Sequence, residues 1–468
     1  MIGSLGKARV AVALACVVAV IVAAAVAMGA GSAGAGTVHT YVFRVGPFPI
    51  GAYEVQYNPG RAAIPTPPVN GFVTDMSARV VNASGRPVPV TRVMLHHVIF
   101  SDAGVPGAFR GDGTCPSAPQ RFYGTGEEHE TMRLPAGYGY RFSSHDKWEL
   151  AWMLMNHRSR SEADYIEYRV TVDTSAKLVP VTPYWLSIVP CSGDPIFNVA
   201  GGGRAGSTTV FAHTWRVPAD GRIVASGAHV HGGDKAQMLV QPRCGNRTLI
   251  NSRPLYGLPS NVVYHVLPVL HEPGPIGTDW FDSATGIPVH RGERLQVLSA
   301  YDGQYIHTRA MGLLHVYVAP PTAASARAAR CAPLPSDIRY LRPLGPGAQR
   351  PPHVIVPLIG FAANGTARVI NRPPGAFLVL RNGGTVTIRN YSFDHPDLAV
   401  PVGGRLQWSF GDSTPHNVTV ADGPRGFAST SQAAGGRFSY RFTVPGTYRL
   451  FCSLHPWMTE VVVVGKQR

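Results

Sequence analysis

The sequence predicts an all-β protein, and three observations carry that expectation. Gly and Pro are abundant, at 52 and 41 of 468 residues, while charged residues make up only 15%. Valine- and tyrosine-rich runs are short and bounded by turn residues. No long stretch of period 3.6 follows the first 36 residues. A chain of this length outgrows one ordinary core, so two to four domains are expected.

The segments justify this in order. Residues 1–36 read as a leader: a basic head "MIGSLGKAR", an uncharged apolar run "VAVALACVVAVIVAAAVAM" and a small-residue tail "GAGSAGAG". That layout is an export signal when cleaved and a membrane anchor when retained, since the run is long enough to span a bilayer. The protein is therefore expected outside the cytoplasm, whether periplasmic, secreted or anchored. Residues 38–190 and 191–318 read as two sets of short strands, for example "TRVMLHHVIF", "YIEYRVTV" and "LLHVYVA", with a seam at "PCSGDPIFNVAGGGRAGS". Residues 319–352 are Pro/Ala/Arg-rich, lack strand periodicity and read as a linker. Residues 353–468 return to short strands, and "AFLVLRNGGTVTIRNYSF" reads as a hairpin across "NGG".

Cys16 falls in the leader. Cys115, Cys191, Cys244 and Cys331 suit two disulfides in an oxidising compartment, with three connectivities open. The net charge of +15 does not indicate nucleic acid, because the arginines are scattered singly and form no basic run. No G-x-S-x-G elbow, P-loop or dinucleotide fingerprint is present, so those chemistries lack support.

The C-terminal stretch "TYRLFCSLHPWMTEVVVV" spaces Cys452, His455 and Met458 three apart. A copper that shuttles one electron takes a soft thiolate, two imidazoles and a weak axial thioether. "DSTPHNVTV" offers the second imidazole at His416. Any one of these residues alone would read as core filler. Four ligand types in this order point to a type 1 copper site.

With those residues in view, "DHPDLAVPVGGRLQWSFGDSTPHNVTV…GTYRLFCSLHPWM" resembles a cupredoxin of the amicyanin and plastocyanin branch. The resemblance implies a Greek-key β-sandwich over residues 353–468, one blue copper on His416, Cys452, His455 and Met458, and electron transfer. It also implies an apolar patch around His455, formed with Pro456 and Trp457, where a small redox donor or acceptor docks.

Upstream, "GAHVHGG" places His229 and His231 two apart, which on a strand puts both on one face within reach of one metal. His96 and His97 in "VMLHHVIF" are adjacent, so strand period sends them to opposite faces unless the backbone is twisted or bulged. His213, His265, His271 and His290 stand isolated and read as surface or structural residues.

The order "LHHVIF…YGTGEEHETMRLPAGYGYRF…WELAWMLMNH…GAHVHGG…AMGLLHVYV" resembles the copper type II monooxygenases, over about residues 85 to 318. That family implies two jelly-roll-like sandwiches facing across a water-filled cleft, each with one mononuclear copper. His96 and His97 would serve the first. Its third ligand falls at Met155 or His157, with His157 preferred because imidazole completes a three-histidine set. His229, His231 and Met311 would serve the second, where dioxygen is activated; a thioether beside two imidazoles favours Cu(I).

Joined, these readings give an exported protein whose blue copper feeds a two-copper, dioxygen-dependent hydroxylase acting on a small molecule. The tether would raise the donor's local concentration to the order of millimolar. The alternative is a non-catalytic electron-transfer protein whose front half is a scaffold or copper store. Zinc hydrolysis at His229 and His231 is a third reading, disfavoured by Met311.

Overall fold

The computed structural model describes residues 37–56, 60–104, 113–115, 119–175, 177–343 and 345–465, so the leader lies outside the described residues. Among the described residues no helix is long and apolar enough to cross a membrane. The fold is all-β.

Long strands with alternating burial build the first sandwich. Val38–Ile50 pairs antiparallel with Glu162–Asp173, which pairs with Gly71–Val81, and Tyr138–Phe142 extends the sheet. The facing sheet runs Ala62–Ala63, Trp148–Asn156, Val93–Asp102, Gln120–Gly126. Phe43, Met76, Ile166 and Tyr168 from one sheet meet Val98, Phe100, Phe122 and Trp148 from the other. Burying each such large side chain is worth about 1.5–3 kcal/mol.

The second sandwich places Thr182–Ser187, Gly312–Ala319, Gly221–Val230, Trp280–Val289 and Arg339–Leu341 in one sheet. Its partner sheet holds Thr208–Arg216, Arg294–Asp302, Asp234–Gln241 and Arg247–Ser252. Two expected boundaries move. The seam expected at 190 lies before Thr182, because Thr182–Ser187 pairs with Gly312–Ala319. The expected linker is not a free tether: Arg339–Leu341 pairs with Trp280–Asp282, and Cys331 is bonded to Cys244. The other disulfide, Cys115–Cys191, crosses the seam between the sandwiches.

The C-terminal sandwich has one sheet of Leu378–Val379, Asp397–Pro401, Thr459–Gly465, Gly446–Phe451 and Thr419–Asp422. The other holds Ser392–Phe393, Gly384–Arg389, Arg405–Phe410 and Arg437–Arg441. The expected hairpin across "NGG" does not form. Leu378–Val379 and Gly384–Arg389 go to different sheets, each beside a parallel partner. The hairpin sits one turn later, where Asn390 (φ 52°) and Tyr391 (φ 56°) link Gly384–Arg389 to Ser392–Phe393. Two consecutive left-handed residues match the twist of the flanking strands.

The units share their cores. Tyr53, Val55, Met94, Met153 and Met155 pack into the same cluster as Trp408, Leu454 and Met458. Trp280 and Tyr317 of the second sandwich join the core of the first, and Tyr317 Oη donates to Phe122 O at 2.9 Å.

Candidate metal centres

In the C-terminal sandwich the chain from Cys452 to Met458 closes on itself: Cys452 N donates to Met458 O (3.0 Å), His455 N to Cys452 O (3.2 Å) and Met458 N to His455 O (2.8 Å). This tight loop holds Cys452, His455 and Met458 buried. His416 enters from the neighbouring segment, and Asn417 stitches the two together. Asn417 Nδ2 donates to Ser453 Oγ (3.0 Å), and Ser453 N donates to Asn417 Oδ1 (2.9 Å).

His416 Nδ1 and His455 Nδ1 stand 3.0 Å apart, with Cys452 Sγ 3.9 and 3.7 Å from them. Those are the edges of a small triangle around one ion. Asp412 Oδ2 lies 2.9 Å from His416 Nε2, which leaves Nδ1 as the inward donor. Burial, then the His416 ring, lowers His455 to about 4, so it is a neutral lone-pair donor. Burial raises the Cys452 thiol, against the opposing pull of the backbone N–H groups of Asn417, Leu454 and His455 and of the Arg309 guanidinium. A thiol, two imidazoles and a buried thioether fit copper.

No family model matches the chain. Amicyanin of Paracoccus denitrificans is 31% identical over 115 residues, which is 23% of this chain and 88% of that protein. Amicyanin-alpha of Methylorubrum extorquens is 30% identical over 82 residues, 17% of this chain and 69% of that protein. The C-terminal region belongs to the amicyanin family. A solved purple cupredoxin from Nitrosopumilus maritimus shares 32% identity, with 18% of this chain and 99% of that chain covered at a TM-score of 0.17. The amicyanin-like region is thus a copper electron-transfer domain, and the two front sandwiches rest on their own geometry.

That geometry is a chamber of about 360 Å³ where all three sandwiches meet, lined by His96, His97, His229, His231, His271 and Met311 among others. Phe451 and Ser453, on either side of Cys452, form part of its wall. The adjacent pair His96–His97 shares a face because the strand is bulged there: the register against Trp148–Asn156 slips between Leu95 and His97. As a result His96 Nδ1 and His97 Nδ1 are 3.1 Å apart. His229 pairs with Leu313 and Val230 with Gly312, and the residues just beyond this register, His231 and Met311, both line the chamber.

A loop of the first sandwich, "EEHE" at 127–130, reaches into the second. Glu128 carboxylate oxygens lie 3.1 Å from His229 Nδ1. Glu130 Oε1 accepts from Ala228 N and Thr278 Oγ1, both at 3.0 Å. Glu127 takes His271 Nε2 and accepts from Gly274 N at 2.8 Å. His231 Nδ1 sits 2.9 Å from Arg309 O. The Nε2 atoms of His229 and His231 are buried without a hydrogen-bond partner, which is the arrangement of anchored metal ligands.

Burial, then His229, lowers His97 to about 3, and burial with neighbouring imidazoles holds His96 and His231 well below the usual histidine range. For His229, burial pulls downward but Glu128 outweighs it and the net shift is upward. Burial, then Glu128, pushes Glu130 well above the ordinary carboxylate range. The neutral imidazoles of His96, His97 and His231, with Met311 on the same lining, fit copper in the front half as well.

The two residues expected as alternatives for the third ligand of His96 and His97 are placed differently. His157 does not line the chamber; its Nδ1 is 3.2 Å from Pro268 O, while Met155 does line it. His271, read as isolated, is brought beside His96 with Glu127, the three ligand atoms lying within 4.8 Å of one another. The signal available for Glu127 was its place in "EEHE"; nothing in the sequence marked His271.

Proposed function

We propose that this chain is an exported multi-copper redox protein in which the amicyanin-like region passes single electrons into the histidine chamber, where dioxygen hydroxylates a C–H bond of a small molecule. One observation carries this reading: a continuous run of short contacts joins Cys452 to His231. Asn417 N donates to Cys452 Sγ (3.4 Å) and Asn417 Nδ2 to Ser431 Oγ (3.4 Å). Arg309 Nη2 donates to the same Ser431 Oγ (3.3 Å), and Arg309 O lies 2.9 Å from His231 Nδ1. Arg309 holds φ 54° and is clamped by both oxygens of Asp194 at 2.8 Å and by Ser429 O at 2.8 Å. Left-handed strain in a bulky residue persists only where its surroundings fix it.

The reaction balances as R–H, dioxygen, two electrons and two protons giving R–OH and water. Both electrons come singly from an external one-electron reductant. Its docking place is the patch of Tyr391, Trp457 and Phe361 around His455, where the Tyr391 ring lies 4.8 Å and the Trp457 ring 5.4 Å from that imidazole. Pro456, expected in the patch, is buried. Copper, when bound, would supply one-electron exchange at Cys452 and a dioxygen site at His229, His231 and Met311. Glu128 and the Arg309 carbonyl occupy the Nδ1 atoms of His229 and His231 and so aim their Nε2 atoms inward. Glu130 Oε2 lies 3.5 Å from His315 Nδ1 at the chamber wall. Val98, Ile99, Met153 and Met155 on the lining suit a small, largely apolar substrate. Two disulfides agree with export.

The second reading, a copper store, is favoured by the surplus of donors: the Nε2 atoms of His157, His307 and His315 are also buried without partners. One experiment separates the two. The copper-loaded chain is reduced without oxygen and then mixed with dioxygen while the blue absorption is followed. Electron delivery to the chamber predicts rapid return of the blue colour and at least a tenfold slower return in His231→Ala. Equal rates in both proteins would overturn it.

A further inference from the structure

The geometry points to a single dinuclear copper centre in the chamber, built by the pair His96–His97 and the pair His229–His231 together, in place of two separated mononuclear sites. The inference rests on the two-copper reading and deepens it. The amicyanin-like region supplies an internal standard. Its two copper imidazoles have Nδ1 atoms 3.0 Å apart, and His96 and His97 repeat that spacing at 3.1 Å. His229 and His231 present unpartnered buried Nε2 atoms from the other sandwich.

The separation between the pairs is no larger than the separation within them. Within pairs the ring centroids are 5.2 Å (His96–His97) and 5.3 Å (His229–His231) apart. Between pairs they are 4.8 Å (His96–His231) and 6.0 Å (His97–His229). Four imidazoles therefore close a ring on the wall of the one chamber.

The closure is built in. A Cβ on Gly126 would collide with His96 O and stand 2.9 Å from His229 Cε1, and one on Gly227 would collide with the Glu130 carboxylate. Glycine at both positions is what lets the sandwiches approach. Glu127, Glu128 and Glu130 then hold His271, His229 and Ala228 across the junction. Ions held by the two pairs are neighbours in one enclosure, within reach of a shared bridging ligand.

The test is copper analysis with integrated EPR on the oxidised, full-length protein loaded with Cu(II). Two Cu(II) ions that share a bridge pair their spins and fall silent. Three coppers per chain with one integrated spin, the type 1 signal, is the expected result. Three coppers with three spins would overturn the dinuclear centre and leave the two-copper reading standing. One copper per chain would remove both, and two coppers with two spins would replace the pair by a single four-histidine ion. In His97→Ala, copper should fall from three to two while the spin count rises from one to two, with an unchanged blue band reporting an intact fold. A spin count that stays at one would sink the assignment.

Discussion

The amicyanin-like copper site and the histidine chamber are built on opposite plans. The amicyanin-like site takes Cys452, His455 and Met458 from one seven-residue loop that hydrogen-bonds to itself, and needs only His416 from outside. The chamber draws His96 and His97 from one sandwich and His229, His231 and Met311 from another, and depends on a bulge, two glycines and a glutamate loop to bring them together. A local site is fixed by its own turn, whereas a distributed one is as sound as the interface that assembles it. Disturbing the first should therefore leave the second intact, and the reverse.

The largest effect expected is at Cys452. Cys452→Ser removes the soft ligand, so the blue absorption should vanish and one copper per chain be lost, with chamber copper unchanged by metal analysis. The mirror experiment is Glu128→Gln, which weakens the anchor on His229. Losing such an outer partner costs about 10–100-fold in metal affinity. Chelator competition should show that loss in the chamber alone, with the blue band intact.

Arg309→Met tests the joint between them. Arg309 and Asp194 form an ion pair with side chains only 11% and 5% exposed. Stranding one partner of a buried pair costs about 3–5 kcal/mol. Calorimetry should show the amicyanin-like region melting ahead of the front sandwiches in the variant, and a single transition in the wild type. The smallest effect falls away from either centre. Burial first, with Asp146 beside it, holds Asp102 up to about 6 from an ordinary 3.8. A carboxyl raised in the fold stabilises while protonated, so its contribution is whole below about pH 4 and is lost as pH climbs through about 6. Asp102→Asn should flatten that slope, raising stability near pH 7 by roughly 1–3 kcal/mol in denaturant titrations.

The same contrast explains what could be read from the sequence. The meeting of His416, Cys452 and His455 was legible because two of them sit in one motif with Met458 and the third precedes a marked strand. The all-β class was legible from short runs and frequent turns, and the "HVH" spacing marked His229 and His231 as a pair. The shared face of His96 and His97 was not, since a bulge is set by the partner strand Trp148–Asn156 rather than by local residues. "NGG" misled because turn chemistry specifies a reversal but not whether the next strand stays in the same sheet. The segment 319–352 looked like a tether because a three-residue strand and a disulfide leave no periodic trace. His271 carried no signal, since its partner Glu127 lies 144 residues away.

The glutamate loop has a consequence for anyone who would take the protein apart. Residues 127–130 belong by sequence to one sandwich and by contact to the other. A cut at the seam near Thr182 would separate each carboxylate from the imidazole or amide it holds, leaving both fragments with an exposed face whose polar groups have lost their partners. The front half is therefore one indivisible module for expression, domain exchange and inheritance, despite having the outline of two.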